Sequence, residues 1–382
     1  MHLALVIPGV DSVTGAEGQV LLLAEGFKRR GWQVTVVALS GNGSSAAQRL
    51  AARGVSFLSL NMHRGLADPL GWLRFHRWLD RERPDVVHTH LPHATWLARW
   101  SRLAAHIPLL IDTLHSSNTG GLARHIGFRL SDWLSNRVTA VSRAAAEAHS
   151  RERMVAPAKL DVLPNGIEID PPYPDSATRE ATRRALGIAI EFVWIAVGRL
   201  DPVKDYETLL KAMAQLPENA LLLVAGDGRL ESSLKDLSAR LGLGSRVRFL
   251  GYQHDPRHLM RAADAFVLSS LWEGLPMALL EAAACSLPTV ATDVAGTREA
   301  VIPGETAWLT PPSAPDALAH TMSALMRVSP QARAAMGGRA RRHVLRHFDI
   351  EMILDRWEEL YRSSRTRTED AIGARGAFSP AS

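Results

Sequence analysis

The sequence predicts an α/β protein built from two doubly wound parallel-sheet domains. Three observations carry this. The chain has 382 residues, more than one ordinary core accommodates. The order strand, loop, helix, strand opens near residue 3 and begins again near residue 192. A further unit of the same kind spans residues 265–300, AFVLSSLWEGLPMALLEAAACSLPTVATDVAGTREA, opening with a short apolar run that reads as a buried parallel strand.

Composition narrows the class. Hydrophobic residues make up 46% and charged residues 22%, as in a soluble globular protein. The one cysteine, Cys285, excludes an internal disulfide and falls on a helical run, where it reads as packing. The N-terminal MHLALVIPGV lacks a cationic lead, so it reads as a first strand rather than a signal peptide. No run approaches the ~20 apolar residues of a membrane span. The expected location is the cytoplasm, or the periphery of the cytoplasmic membrane face. Over residues 1–166 there are 19 Lys and Arg against 12 Asp and Glu, a net +7, while the remainder carries 25 against 27, a net −2. A basic first half suits an anionic partner. Its cations are scattered among acids with no arginine-rich run, which argues against nucleic acid.

Residues 3–8 read as a strand, followed by the loop Gly9 to Gly15 and a helix over 16–30 that Gly31 closes. Residues 33–39 are the second strand. The loop does not match G-x-G-x-x-G and no acidic residue follows the second strand, which disfavours a dehydrogenase. Residues 55–60 form a third strand. Residues 66–83 form a helix rich in bulky groups, and the strand 85–90 reads PDVVHTH from Pro84. His88, His90 and His93 suggest a metal site, but neither a cysteine nor a convergent carboxylate set accompanies them. Polar strand ends are the preferred reading, and no metal is assigned. Strand 109–113 runs into Leu114 and His115. Ligands bind beyond strand C-termini in such sheets, so His115 is the stronger candidate. Strand 137–141 leads to Ser142, which reads as the N-cap of a helix over 143–151. Asn165-Gly166 is a turn at the end of the first domain, and the proline-rich residues 170–175 read as the linker.

In the second half, strand 192–197 precedes Gly198-Arg199-Leu200-Asp201-Pro202-Val203-Lys204-Asp205 and a helix over 206–215. Cations beside a helix N-terminus gain nothing from the dipole, so Arg199 and Lys204 imply an anion between them. Strand 221–225 precedes Gly226-Asp227-Gly228 and a helix over 230–241, and strand 247–250 precedes Gly251-Tyr252-Gln253. The run from residue 265 ends at Ser269 and Ser270. Glu273-Gly274-Leu275-Pro276 then turns into a helix over 277–286, which Leu287-Pro288 stops before strand 289–292. A helix N-terminus after a tight loop favours a phosphate. Glu273 lies at the mouth of this site and Glu281 about one turn into the helix. Two carboxylates repel an anion, but they accept hydrogen bonds from sugar hydroxyls, and a nucleotide sugar combines both chemistries. The alternative is two solvated surface charges. Residues 301–312 look hairpin-like, 315–326 and 330–346 helical, and 348–361 an amphipathic helix. Residues 363–382 are poor in large apolar groups and are expected to be disordered.

These motifs carry a resemblance. Glu273 and Glu281, with Gly274, Leu275 and Pro276 between them, resemble the E-x7-E motif of family 4 retaining glycosyltransferases, which have the GT-B fold. PDVVHTH, the Asn165-Gly166 turn, the Arg199–Lys204 loop and residues 282–300 follow in the family's order, so the similarity covers roughly residues 1–361. The resemblance implies two Rossmann-like domains facing a central cleft. Residues 1–169 would be acceptor-binding and 170–347 nucleotide-sugar-binding. Residues 348–362 would be a last helix crossing back to the first domain, and 363–382 a tail. It implies transfer of a hexose from a UDP-sugar or GDP-sugar to an acceptor hydroxyl with retention, in cell-envelope polysaccharide or glycolipid synthesis. No cofactor and no metal would be needed. Arg199 and Lys204 would grip the diphosphate with the amides near Gly274, Leu275, Met277 and Ala278. Glu281 would hold the ribose, Glu273 and His115 the sugar, Gly15 the donor phosphates and the Tyr252 segment the base. The family usually has paired glycines in the first loop, whereas Thr14-Gly15 keeps one. Rival readings are another GT-B enzyme, such as an epimerase or a phosphorylase with pyridoxal phosphate, or a non-catalytic nucleotide-sugar-binding subunit.

The acceptor side has one further signal. Trp72, Trp78, Trp96, Trp100 and Trp133 are interleaved with Arg74, Arg77, Arg81, Arg99, Arg102, Arg124 and Arg129. Aromatic and basic groups on one surface suit peripheral contact with an anionic membrane and a lipid-linked acceptor rather than a soluble glycan. The competing expectation is that the tryptophans pack inward.

Overall fold

The structure is a computed structural model. It describes residues 1–10, 15–41, 44–63, 65–169 and 176–376. Two compact units divide the chain, one of residues 1–166 with 350–382, the other of residues 167–349. The sequence-predicted linker, residues 170–175, and loop residues 11–14 lie outside the described residues.

The first unit contains β1 His2–Ile7, α1 Ala16–Arg29, β2 Gln33–Ala38, α2 Ser44–Ala52, β3 Ser56–Ser59, α3 Pro69–Glu82 and β4 Val86–His90. It continues with α4 Pro92–Ser101, β5 Leu109–Leu114, α5 Leu122–Ser131, β6 Arg137–Ala140, α6 Arg143–Arg151 and β7 Leu160–Val162. Its seven strands are all parallel in the order β3-β2-β1-β4-β5-β6-β7. The chain winds left from β1 and right from β4, so the strand order reverses between them. Beyond the C-terminal ends of such a pair a crevice opens for ligands. β1, β4 and β5 are buried along their whole length, as the near-continuous apolar runs require of a sheet covered on both faces. Local signals set the helix starts: Asp68 accepts from Leu70 N and Gly71 N at α3, and Ser142 accepts from Ala145 N at α6.

The second unit contains α7 Ser176–Ala185, β8 Phe192–Val197, α8 Tyr206–Met213, β9 Ala220–Ala225, α9 Glu231–Arg240, β10 Val247–Phe249, α10 Arg257–Ala262 and β11 Ala265–Leu268. It ends with α11 Met277–Ala284, β12 Thr289–Thr292, α12 Ala295–Ala300, β13 Ala307–Thr310, α13 Pro315–Arg327 and α14 Pro330–His347. Its sheet is again parallel, β10-β9-β8-β11-β12-β13, with the reversal between β8 and β11. Both sheets share one winding rule, and each has a core of its own.

Two elements differ from the sequence reading. The segment over 301–312 is not a hairpin. β13 pairs in parallel with β12, because α12 carries the chain across before it returns to the sheet edge. The last helix, α15 Ile350–Gly376, also runs further than expected. Residues 363–376 continue the helix instead of lying disordered. Ser364 is buried and Arg365 pairs with Asp85 at 2.8 Å, anchors that composition does not reveal. The rest of that expected tail, residues 377–382, lies outside the described residues. The apolar face of α15, with Ile350, Ile353, Leu354, Trp357 and Tyr361, completes the first unit's core beside α1. Among the described residues no helix is long and apolar enough to cross a membrane.

Candidate active site

In the second unit the sequence-predicted residues gather at the switch point between β8 and β11. The loop after β8 carries Arg199 and Lys204, the latter closing a 3₁₀ turn over Pro202–Lys204. Asp205, with φ 45°, ends that turn and caps α8 by accepting from Thr208 N at 3.3 Å. The loop after β11 is stitched to the loop after β8. Leu271 N donates to Val203 O at 2.8 Å and Ser269 Oγ to Lys204 O at 2.7 Å. Thr292 Oγ1 donates to Ser270 O at 2.6 Å, tying in β12 as well.

Lys204 and Glu273 meet inside this frame. Lys204 Nζ donates to Glu273 Oε1 at 2.6 Å, and Ser270 Oγ donates to the same oxygen at 2.6 Å. Glu273 is therefore buried under the loop, where the sequence placed it at the open mouth. An ion pair removed from water is worth having only when its geometry and hydrogen bonds are complete, as here. The pairing joins a lysine and a carboxylate 69 residues apart in the sequence.

Arg199 is exposed and pairs with Asp201 at 3.0 Å. Asp201 holds a second cation, Arg229 at 3.6 Å, brought in by the loop after β9. Sequence reasoning missed Arg229. Its signal was its place in Gly226-Asp227-Gly228-Arg229, a third loop at a strand C-terminus. Gly226 is what lets that loop approach: a Cβ there would lie 2.0 Å from Gly198 O.

Gly274 and Leu275 are buried, Pro276 is the N-cap residue of α11, and Met277 and Ala278 form its first turn. The loop rests on Gly296 of α12. A Cβ at Gly296 would come within 2.6 Å of the carbonyl oxygens of both Glu273 and Gly274. Glu281, one turn further on, is partly buried. Loss of water pushes its carboxyl up from the ordinary 4.5 to about 7, with nearby Arg257 opposing the rise and Asp255 adding to it. Tyr252 is exposed beyond β10, where Gly226 N donates to Gly251 O at 2.8 Å. Cys285 is the C-cap residue of α11 and only partly buried, so its packing is less complete than a helix-interior position implies.

In the first unit Gly15, with φ 58°, precedes α1, and its carbonyl accepts from Gln19 N at 3.1 Å. Gln19 Oε1 accepts from Gly166 N at 3.0 Å, fastening the Asn165-Gly166 turn to the start of α1. His115 follows β5 and its Nε2 lies 2.9 Å from His90 Nδ1, at the end of β4. Burial lowers the affinity of His88, His90 and His115 for a proton, and holds His115 at about 4. His88 bridges Tyr361 Oη and Thr113 Oγ1, both at 2.7 Å, so the histidine run is a hydrogen-bonded strand end.

The expected basic–aromatic surface is only partly there. Trp78 is buried, Trp72 and Trp96 are half-buried, and only Trp100 and Trp133 of the five stand exposed. Arg99 is fully buried, paired with Asp112 at 2.9 Å. Asp112 also accepts from Thr89 Oγ1 and Ser135 Oγ, each at 2.6 Å, so its buried carboxylate is satisfied. Helix α5 and the 3₁₀ turn after it, Asp132–Leu134, present Leu122, Ile126, Leu130 and Trp133 outward at one-turn spacing.

Two parallel α/β units of this topology define the GT-B class of glycosyltransferase folds. The chain belongs to glycosyltransferase family 4. The model described as Glycosyltransferase Family 4 matches residues 13–171, and that described as Glycosyl transferases group 1 matches residues 178–343. Phosphatidyl-myo-inositol mannosyltransferase of Mycobacterium leprae is 29% identical over 96% of this chain and 98% of its own. UDP-Gal:alpha-D-GlcNAc-diphosphoundecaprenol alpha-1,3-galactosyltransferase of Escherichia coli is 29% identical over 60% of this chain. The chain spans only 63% of the length of that relative. Among solved structures, Anabaena HepE in complex with UDP-glucose superposes with a TM-score of 0.84 at 23% identity, covering 95% of this chain and all of HepE. That likeness is one of fold.

Proposed function

We propose that the chain is a retaining glycosyltransferase that moves a hexose from a UDP-sugar or GDP-sugar to an acceptor hydroxyl. The observation that supports this best is the bond between Lys204 and Glu273 at the switch point, a cation for phosphate joined to an acceptor for sugar hydroxyls. Arg199, Lys204 and the first-turn amides of α11 stabilise the charge that grows on the departing diphosphate. Glu281 accepts from the ribose hydroxyls, Glu273 and His115 hold the sugar, Gly15 approaches the donor phosphates, and the Tyr252 segment lies against the base. The acceptor oxygen attacks the anomeric carbon on the face the diphosphate leaves. The new C–O bond forms as the old one breaks, and the diphosphate takes the acceptor proton. No enzymic nucleophile, cofactor or metal enters the step. Nucleotide sugars are the natural probes because the relatives' names and complexes include UDP-linked donors. A melting screen against UDP-, GDP-, ADP- and dTDP-sugars tests the reading: one class should raise Tm, and no response to any would refute it.

The acceptor we infer is a lipid-linked glycan or glycolipid in cell-envelope synthesis, with the enzyme resting peripherally on an anionic cytoplasmic membrane face. Leu122 and Leu130 on α5 and Trp133 in the 3₁₀ turn that follows it are 74%, 62% and 66% exposed, and Arg124 and Arg129 lie among them in sequence. An apolar stripe edged with cations, in the basic half of the chain, suits headgroup depth. Sedimentation with phosphatidylglycerol vesicles should be strong at low salt and weaken in Leu130→Ser/Trp133→Ser. Protein left in the supernatant at low salt would point to a soluble acceptor.

A further inference from the structure

Three histidines stand together where β4 and β5 end, and one bond among them has a consequence for His115. The His88 and His90 ring centroids are 4.1 Å apart, and those of His90 and His115 5.2 Å. His88 is fully committed to Tyr361 and Thr113. His90 and His115 share the 2.9 Å contact between His90 Nδ1 and His115 Nε2. Their other nitrogens, His90 Nε2 and His115 Nδ1, are enclosed and have no partner among the described residues.

Proton counting restricts this pair. Each ring is neutral and carries one N–H, and one proton must lie between them. If His115 Nε2–H donates, His115 Nδ1 is bare and His90 Nε2 carries a hydrogen. If His90 Nδ1–H donates, both ends reverse. The two unpartnered nitrogens therefore always have opposite character. The first arrangement leaves both rings in the Nε2–H form that a free imidazole favours, and the second forces both out of it. Two buried polar nitrogens without partners are costly unless a ligand meets at least one of them.

We propose that His90 is a positioning residue for His115. Its Nδ1 accepts from His115 Nε2–H, fixes that ring and its tautomer, and leaves His115 Nδ1 as an acceptor for a hydroxyl of the transferred sugar. The sugar contact rests on the reading given under Proposed function; the fixed tautomer does not. His93 takes no part. It is exposed on α4 and packs edge-on against Trp96.

The test is ring-nitrogen NMR on the full chain with 15N-labelled histidine, in the wild type, His90→Leu and His90→Asn. An asparagine places its amide oxygen near the lost Nδ1, so it can still accept from His115, whereas leucine cannot. The expected result is one Nε2–H tautomer for His115 in the wild type and in His90→Asn, and averaged tautomers in His90→Leu. A wild-type His115 protonated at Nδ1, or one that His90→Leu leaves unchanged, overturns the proposal. Turnover gives the second readout, followed as UDP release from UDP-glucose or GDP release from GDP-mannose. His90→Leu should lower kcat roughly tenfold, the worth of one hydrogen bond to a reacting partner, and leave the Kd for free UDP or GDP unchanged. His90→Asn should recover most of the loss. His90→Leu should add nothing in a His115→Ala background. Additive losses in the double variant overturn positioning through His115. Full turnover by His115→Ala alone removes the sugar contact, while the NMR result still decides the tautomer.

Discussion

Glu281→Gln separates a carboxyl group's use in binding from its effect on stability. Its proton affinity is raised from 4.5 to about 7 in the folded chain because α11 and its surroundings strip water from the group. The direction fixes the sign. Below pH 4.5 the group is protonated both folded and unfolded and contributes no difference. As pH rises from 4.5 through 7 the unfolded chain releases its proton more readily, and folding loses stability until both states are ionised. The full difference corresponds to about 3 kcal/mol, a ceiling because the side chain is partly exposed and water reaches it. Glutamine cannot ionise, so it should match the wild type near pH 4.5 and exceed it above pH 7.5. In a unit of this size each kcal/mol shifts Tm by about 2–4 °C. Tryptophan fluorescence reports this transition, since Trp194 is fully buried in the second unit's core. The same variant should bind the nucleotide diphosphate sugar roughly tenfold more weakly at pH 8, where the wild-type carboxylate accepts from ribose. A Tm difference between the two proteins that stays constant from pH 4.5 to 8.5 would refute the raised proton affinity. Unchanged donor Kd would refute the ribose contact alone.

Three further outcomes are expected. Arg199→Ala and Lys204→Ala should each lower kcat by more than they raise the donor KM, because phosphate charge grows in the transition state; a loss fully overcome by more donor would make that residue a uniform binder. Asp112→Ala should cost about 3 kcal/mol in denaturant unfolding because it leaves buried Arg99 with only the Asp132 carboxylate, 3.9 Å away, and Arg99→Met added to it should recover much of that loss. Gly296→Ala should weaken donor binding roughly tenfold, since its Cβ would press the Glu273–Gly274 carbonyls out of place; unaltered donor affinity in isothermal titration would show that the loop has room to yield.

Local physics made much of the fold legible from the residues alone. Strands β8 and β12 and helix α6 fall at the residues expected, because a short apolar run, a capping Ser142 or a Leu287-Pro288 stop acts within a few positions. The winding of both sheets follows from the same order of elements. Tertiary structure decided the rest, since pairing and burial depend on residues far away in sequence. Nothing near Lys204 indicates that its amine meets Glu273, and nothing near Arg99 indicates that Asp112 draws it into the interior. The helix expected over residues 66–83 was rich in bulky groups, but the sequence did not show which of them a sheet would cover. Trp78 went inside, while Leu122, Ile126, Leu130 and Trp133 stayed out. His90 read as a polar strand end beside His88, and only the meeting of the ends of β4 and β5 gave it His115 as a partner. Periodicity specifies a face; long-range packing specifies what meets it.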